Sequence, residues 1–142
     1  PIEVQGAGYF SIATASFTPL PLEEEYDIAF GKYKDFVVFP DEQADYIVYG
    51  VVQGNVKASL LMAPFEQVNI GALDTVDFNN NVRNVIGWDW KRFNLDAGGY
   101  TIKENKTYLL ETAAGYFYKF RFVDFYNEDG VSGHPTFEYK LV

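Results

Sequence analysis

The chain has 142 residues, of which 48% are hydrophobic and 18% aromatic, and its formal net charge is −9 at pH 7. This length and apolar content predict a single domain, spanning residues 1–142, with a buried core. The acidic balance argues against nucleic acid and against an anionic membrane surface as partners, because both attract basic patches. The longest apolar stretches are too short to cross a bilayer, so no transmembrane segment is predicted.

The residue counts also exclude several kinds of site. The chain contains no cysteine, which excludes disulfides, cysteine nucleophiles and thiolate-bound metal centres. It contains one histidine, so one chain cannot build a site from two imidazoles. No glycine-rich phosphate loop, nucleophile elbow or metalloprotease helix motif occurs. The sequence therefore favours a binding protein over an enzyme.

The first part of the chain is typical of short β-strands separated by turns. A first strand is predicted within residues 7–18 and ends before Pro19. Tyr26, Ile28 and Phe30 occupy alternate positions, which predicts a strand over residues 26–30. A further strand is predicted at residues 36–39. Residues 46–52 are a nearly continuous apolar run, which predicts a buried strand.

The sequence pattern predicts the secondary structure less clearly in the middle of the chain. Residues 56–68 contain helix-forming side chains, but Pro64 would end a helix after about two turns. Residues 79–81 are three asparagines and predict a loop. Trp88 and Trp90 are two positions apart and are predicted to share a face, either in the core or as an exposed platform for a sugar or planar ligand.

The last third carries the strongest signal. Over residues 116–126, one set of alternate positions begins with four aromatic residues, and the other set includes aromatic, charged and aliphatic residues. This two-residue period predicts a central strand. Tyr116, Tyr118, Phe120 and Phe122 share the face expected to point inward. This strand should pair with residues 106–112 through the turn at Ala113-Ala114-Gly115, and the final strand at residues 136–141 should join the same sheet. The fold class is therefore all-β, a single antiparallel domain with at most one short helix.

Two side chains are candidates for binding a ligand. Met62 is the only methionine, and its thioether is either a flexible core filler or an axial haem ligand. His134 stands between Gly133 and Pro135, where it is either a solvated loop side chain or a second ligand. The residues themselves leave these alternatives open.

Several segments, taken in order, resemble the HmuY-like haemophore family, which consists of lipid-anchored surface proteins of anaerobic Gram-negative bacteria. The likeness covers most of residues 26–142. The matching segments are Tyr26-Asp27-Ile28-Ala29-Phe30, residues 63–68, Gly87-Trp88-Asp89-Trp90, residues 106–120, and the closing stretch from Tyr126 to Lys140.

The resemblance implies an all-β fold that grips haem between two prongs at the cell surface, with an outer-membrane receptor as a further partner. Family members hold the iron through two side chains, histidines in one form and methionines in others. This chain has one of each. Met62 is therefore the first choice as haem ligand, and His134 can join it only if the fold brings the two side chains together. The alternative is a surface module of the same fold that has lost haem and recognises protein or glycan.

Overall fold

The computed structural model describes residues 1–4, 8–18, 25–38, 40–78 and 82–142. Within these ranges the chain forms antiparallel strands and short 3-10 turns, and no α-helix occurs, which confirms the predicted all-β fold. The strands are β1 (Ile2–Glu3), β2 (Gly8–Ser11), β3 (Ser16–Thr18), β4 (Ile28–Val38), β5 (Gln43–Gln53), β6 (Val56–Met62), β7 (Lys91–Asn94), β8 (Gly99–Ile102), β9 (Lys106–Thr112), β10 (Phe117–Tyr126) and β11 (Ser132–Leu141). The 3-10 turns include Phe65–Gln67 and Ile70–Thr75.

Two sheets face each other across an aromatic core. The five-stranded sheet has the order β1-β11-β10-β9-β6, and the four-stranded sheet has the order β3-β2-β4-β5. Phe137 of the first sheet meets Phe10 and Phe30 of the second, with ring centroids 5.2 Å and 5.4 Å apart. Strands β7 and β8 form a separate hairpin. No helix among the described residues is long and apolar enough to cross a membrane.

The aromatic segment forms β10, which confirms the predicted central strand. It pairs with β9 through the turn at residues 113–115 and with β11 on its other side. Phe120 is fully buried as predicted, whereas Tyr116 precedes the strand and is exposed. The opposite face is also covered, because Lys119 is buried there. Both faces of β10 therefore pack against protein.

Four predicted segments differ from the structure. Residues 56–62 form a strand, because pairing with β9 along their length and burial of Val56 and Ala58 override local helix propensity. The single strand predicted within residues 7–18 is instead the β2–β3 hairpin. Of the strands predicted at residues 26–30 and 36–39, residues 28–30 and 36–38 both belong to β4, which continues because it pairs with β5 over its whole length. Tyr26 and Asp27 precede the strand.

The exposed half of β5 is a further correction. The run at residues 46–52 was expected to be buried, yet Ile47 is 70% exposed while Val51 is fully buried. Beyond Phe30, β4 and β5 continue as a two-stranded ribbon with an exposed side, although Val37 of this ribbon is buried and Tyr49 packs against the core. Three other predictions lie outside the described residues: the end of a strand at residues 19–21, the loop at residues 79–81, and Phe39 as the last residue of a strand.

Candidate functional site

A cleft opens between the β4–β5 ribbon and the β7–β8 hairpin. Its volume is about 650 Å³, which lies within the range of roughly 300–1,000 Å³ that is common for small-molecule sites. Phe125 of β10 forms part of its floor, and Ser132 and Gly133 at the start of β11 form part of its side. The cleft is thus assembled from elements that are distant in sequence.

Four aromatic rings form one continuous wall of the cleft. Phe93 meets Tyr100 across the hairpin at 5.4 Å, Tyr100 meets Phe125 at 5.3 Å, and Phe125 meets Tyr49 at 5.4 Å. All four rings line the cleft, and we call them the aromatic wall. Each contact is edge-to-face, the arrangement that aromatic quadrupoles favour. The wall runs from the exposed hairpin to the buried floor and offers a large apolar surface to a ligand.

A close backbone approach fixes the hairpin beside the floor. The Tyr100 N–H donates to the Tyr126 hydroxyl at 2.7 Å. A Cβ atom at Gly99 would lie 2.4 Å from the same hydroxyl oxygen, so only glycine allows this contact. The Lys103 N–H also donates to the Trp90 carbonyl at 2.9 Å. The hairpin is therefore held by specific bonds at its base, while its tip is free to contact a ligand.

The two tryptophans lie in different environments. Trp90 is buried and stacks on Phe122 with centroids 3.7 Å apart. Trp88 is half-buried, lines the cleft and donates its indole N–H to Asp35 of β4 at 3.0 Å. Both precede β7 and are not in a strand, so the two-residue spacing does not place them on one face. Trp90 supports the floor, and only Trp88 faces the cleft.

Lys91 is a buried cation in the floor of the cleft. Its Nζ donates to the carbonyls of Tyr49 at 2.6 Å and Trp88 at 3.2 Å. It also lies 4.3 Å from the Trp90 ring centroid and 4.9 Å from that of Phe125. Burial lowers the pKa of Lys91 to about 8, against an opposing attraction from Asp89. The carbonyls and ring faces support the charged form, so the floor carries positive charge at neutral pH.

The lining of the cleft is electropositive although the chain is acidic. Lys32 and Arg92 are exposed at its rim and add to the charge of Lys91. Asp89 is the acidic residue of the lining, and Lys103 and Lys106 hold its two oxygens at 2.5 Å and 2.6 Å. Burial opposes ionisation of Asp89, but these hydrogen bonds outweigh it and lower the pKa. The cleft therefore suits an anionic group on its ligand.

Met62 lies outside this cleft. It ends β6, is 60% exposed and pairs with Lys106 in the sheet. Alternate residues of a strand share a face, so Met62 continues the face of Leu60, which lines a second groove of about 440 Å³ together with Val38 and Trp88. Trp88 separates this second groove from the cleft. The side chain predicted as the first haem ligand is thus a neighbour of the second groove.

His134 lies apart from Met62. Its neighbours Ser132 and Gly133 line the cleft, but its own Nδ1 is 4.0 Å from Glu3 of β1. Strands β9 and β10 separate β6 from β11, which puts the two residues about 14 Å apart across the sheet at ordinary strand spacing. The structure therefore does not bring Met62 and His134 together on one iron. Among the described residues no group of three or more histidine, aspartate or glutamate side chains could hold a metal ion.

Sequence reasoning missed the aromatic wall and Lys91. One signal was available, since Phe93 and Tyr100 flank the Asp96–Gly99 turn and a hairpin places them opposite each other. No sequence signal links them to Tyr49 or Phe125, because those contacts depend on how the hairpin docks onto β10 and β5.

Comparisons with known proteins agree with this architecture. A family model described as HmuY protein matches residues 40–139. One similar crystal structure is that of a Bacteroides vulgatus protein described as an HmuY-like heme binding protein. Its TM-score is 0.57 and its sequence identity is 15%, and the match covers 97% of this chain and 88% of that one. Apo PinO from Porphyromonas gingivitis is similar with a TM-score of 0.51 and 12% identity, covering 99% and 95%.

A third similar structure is a protein assigned as a lipoprotein from Bacteroides fragilis, with a TM-score of 0.50 and 17% identity, covering 97% of this chain and 86% of that one. At these identities the structures show the shared fold. No curated protein sequence matches the chain.

Proposed function

Because the chain belongs to the HmuY protein family, we propose that it is a non-enzymatic ligand-binding protein that holds haem or a related porphyrin in the cleft. The family is one of binding proteins, and the similar structure from Bacteroides vulgatus is described as heme binding. The electropositive, aromatic cleft supplies the chemistry that such a ligand needs.

The aromatic wall is the observation that carries this proposal. The centroid of each ring lies 5.3 Å to 5.4 Å from that of the next ring. Together the rings present one apolar surface from rim to floor. A porphyrin is a flat, apolar aromatic ring that gains free energy by stacking against such a surface. The cleft volume of about 650 Å³ gives room for a ligand of this class.

The charges of the cleft complete the match. A haem carries two carboxylates, and an overall charge of −9 would repel them. Lys32 and Arg92 at the rim and Lys91 in the floor reverse that charge locally. Asp89 adds little repulsion because two lysines already hold it.

The same proposal places the protein on the outer surface of a Gram-negative cell. The support is the family membership together with the similar structure described as a lipoprotein. An outer-membrane receptor that accepts the ligand is the corresponding partner.

A haem titration followed by absorbance tests the function. We expect a Soret band that saturates at one haem per chain. Tyr100→Ala removes the centre of the aromatic wall and should weaken binding about tenfold, the loss expected for one good aromatic contact. Tyr116→Ala is the matched control, since Tyr116 is an exposed tyrosine of the β9–β10 turn outside the cleft, and it should bind like the parent. Equal weakening by both variants would contradict the placement of the site.

Met62 remains the ligand that the sequence predicts, and it defines a competing position. Ligation by Met62 would place the haem iron at the second groove, beside Leu60 and Lys106. Spectra of the haem complexes of the parent and of Met62→Ala decide between the two positions. Identical spectra would eliminate Met62 as a ligand, and a changed Soret band would move the site from the cleft to the second groove.

The second candidate function is an interaction module without haem. Its support is a set of exposed apolar side chains. Ile47 and Phe93 line the cleft and are 70% and 56% exposed, and Leu95 in the turn after β7 is 86% exposed. Such a cluster is typical of a surface that meets protein or glycan. Absence of any Soret change in the parent would favour this function over haem binding.

A further inference from the structure

The cleft fits the ring and the carboxylates of a porphyrin better than it fits the iron. Haem iron is held in proteins by imidazole, thioether, thiolate or phenolate groups. The chain has one histidine, one methionine and no cysteine. His134 points towards Glu3, and Met62 adjoins the second groove. The imidazole and the thioether of this chain are thus placed away from the aromatic wall.

Three groups of the cleft lining, those of Tyr46, Tyr49 and Lys91, are poorly suited to ligate iron. The phenol of Tyr100 also lines the cleft, and the variant Tyr100→Phe tests it below. Tyr46 donates its hydroxyl to Glu42. Burial raises the pKa of the Tyr49 phenol, which opposes the phenolate form that binds ferric iron. Lys91 would have to lose a proton and break its bonds to two backbone carbonyls before its amine could ligate. Each group therefore faces a cost before it could bind the metal.

The groups that recognise the rest of the ligand are already in place. The aromatic wall needs no rearrangement, because its four rings already contact one another. The Nζ of Lys91 is fixed by two carbonyls, and Lys32 and Arg92 stand at the rim. A preorganised surface of this kind binds without the entropic cost of ordering side chains.

From this placement we infer that the cleft recognises the tetrapyrrole through its aromatic ring and its carboxylates, with no bond from the protein to the metal. This inference rests on the proposed function and narrows the ligand class to porphyrin carboxylic acids, with or without iron. Affinity is then set by stacking and charge, so metal-free protoporphyrin binds as tightly as haem. Because no side chain would ligate the iron, the haem complex should show the absorption spectrum of a high-spin haem.

The test compares three probes on the full chain by quenching of tryptophan fluorescence, since Trp88 lines the cleft. The probes are haem, metal-free protoporphyrin IX and its dimethyl ester. We expect Kd values for the first two that agree within about threefold. We expect the ester to bind about tenfold more weakly, because it has lost its charge-assisted hydrogen bonds. Met62→Ala should leave both Kd values unchanged, since the thioether lies outside the cleft. Tyr100→Phe keeps the ring and removes a hydroxyl, so it should change the two Kd values by the same factor.

The outcomes separate the inference from the function on which it rests. Haem binding that is more than about tenfold tighter than protoporphyrin binding would overturn the inference and leave the haem function standing. Loss of haem affinity alone in Tyr100→Phe or Met62→Ala would overturn it as well and would identify the ligand. An ester that binds like the free acid would refute the role of the cations. Binding of none of the probes would overturn both the inference and the proposed function.

Discussion

Replacing Phe120 with alanine tests the packing on which the fold depends. The side chain is fully buried, and its ring meets Phe137 at 5.0 Å and Phe122 at 5.1 Å. Full burial of a phenylalanine contributes about 2–3 kcal/mol, and each aromatic contact adds about 0.5–1.5 kcal/mol. The expected loss in the free energy of unfolding is therefore about 4 kcal/mol, within the usual range for deleting a buried phenylalanine.

Urea unfolding followed by circular dichroism measures this loss. With a denaturant slope of about 1.5 kcal/mol/M, the midpoint should fall by roughly 2–3 M. Phe117→Ala is the matched control, because Phe117 lies on the opposite face of β10, is half-buried and meets Phe78 at 5.7 Å. It should cost only about 1–2 kcal/mol. A parent-like midpoint for Phe120→Ala, or equal losses in the two variants, would refute the assigned faces.

Three further changes probe the supports of the site and of the core. Burial holds the pKa of Lys91 at about 8, against an ordinary value of 10.5 for a lysine. Between these pH values the unfolded chain binds a proton that the folded chain lacks, so stability rises with pH. The free energy of unfolding of the parent should gain about 2 kcal/mol between pH 7.5 and 9.5 relative to Lys91→Met, and equal gains in both proteins would contradict this assignment. The Lys119 Nζ donates to the carbonyls of Phe65 and Val68 at 2.8 Å and 2.9 Å, and Lys119→Met leaves both carbonyls without this donor. We expect the free energy of unfolding, measured with urea, to fall by about 2–4 kcal/mol. A fall of less than about 0.5 kcal/mol would show that the ammonium does not hold this turn. Gly99→Ala introduces a Cβ atom 2.4 Å from the Tyr126 hydroxyl and should speed amide exchange at Tyr100, whereas protection equal to that of the parent would show that the hairpin does not need this close approach.

Local pattern was enough to predict most of the strands in the last third of the chain. The alternation over residues 116–126 predicted β10, and the glycine at position 115, with φ of 84°, supports the turn to β9. Asn127 is a typical turn residue, and in the turn at residues 127–130 its side chain accepts the N–H groups of Asp129 and Val131. Turn chemistry and two-residue periodicity are local properties, so a sequence displays them directly.

Pairing partners decided the segments where local pattern was ambiguous. Residues 57–62 favour a helix locally but form a strand, because they pair with β9 along their whole length and bury Ala58 in the core. The same holds for β4, which runs past Gly31 without a break because β5 follows it position by position. Strand pairing over long sequence separations is invisible to propensity, which describes one residue and its neighbours.

The sequence by itself determined the all-β class, the family resemblance and the small set of side chains that could hold a metal, because these depend on periodicity, ordered motifs and residue counts. Only the tertiary structure decided that Met62 and His134 stand on strands separated by two others, and that Tyr49, Phe93, Tyr100 and Phe125 meet in one wall. It also placed Lys91 in the floor of an otherwise aromatic cleft. The physical reason is that a binding site is made by sheet order and by hairpin docking, and both bring together residues whose separation along the chain carries no signal of their contact.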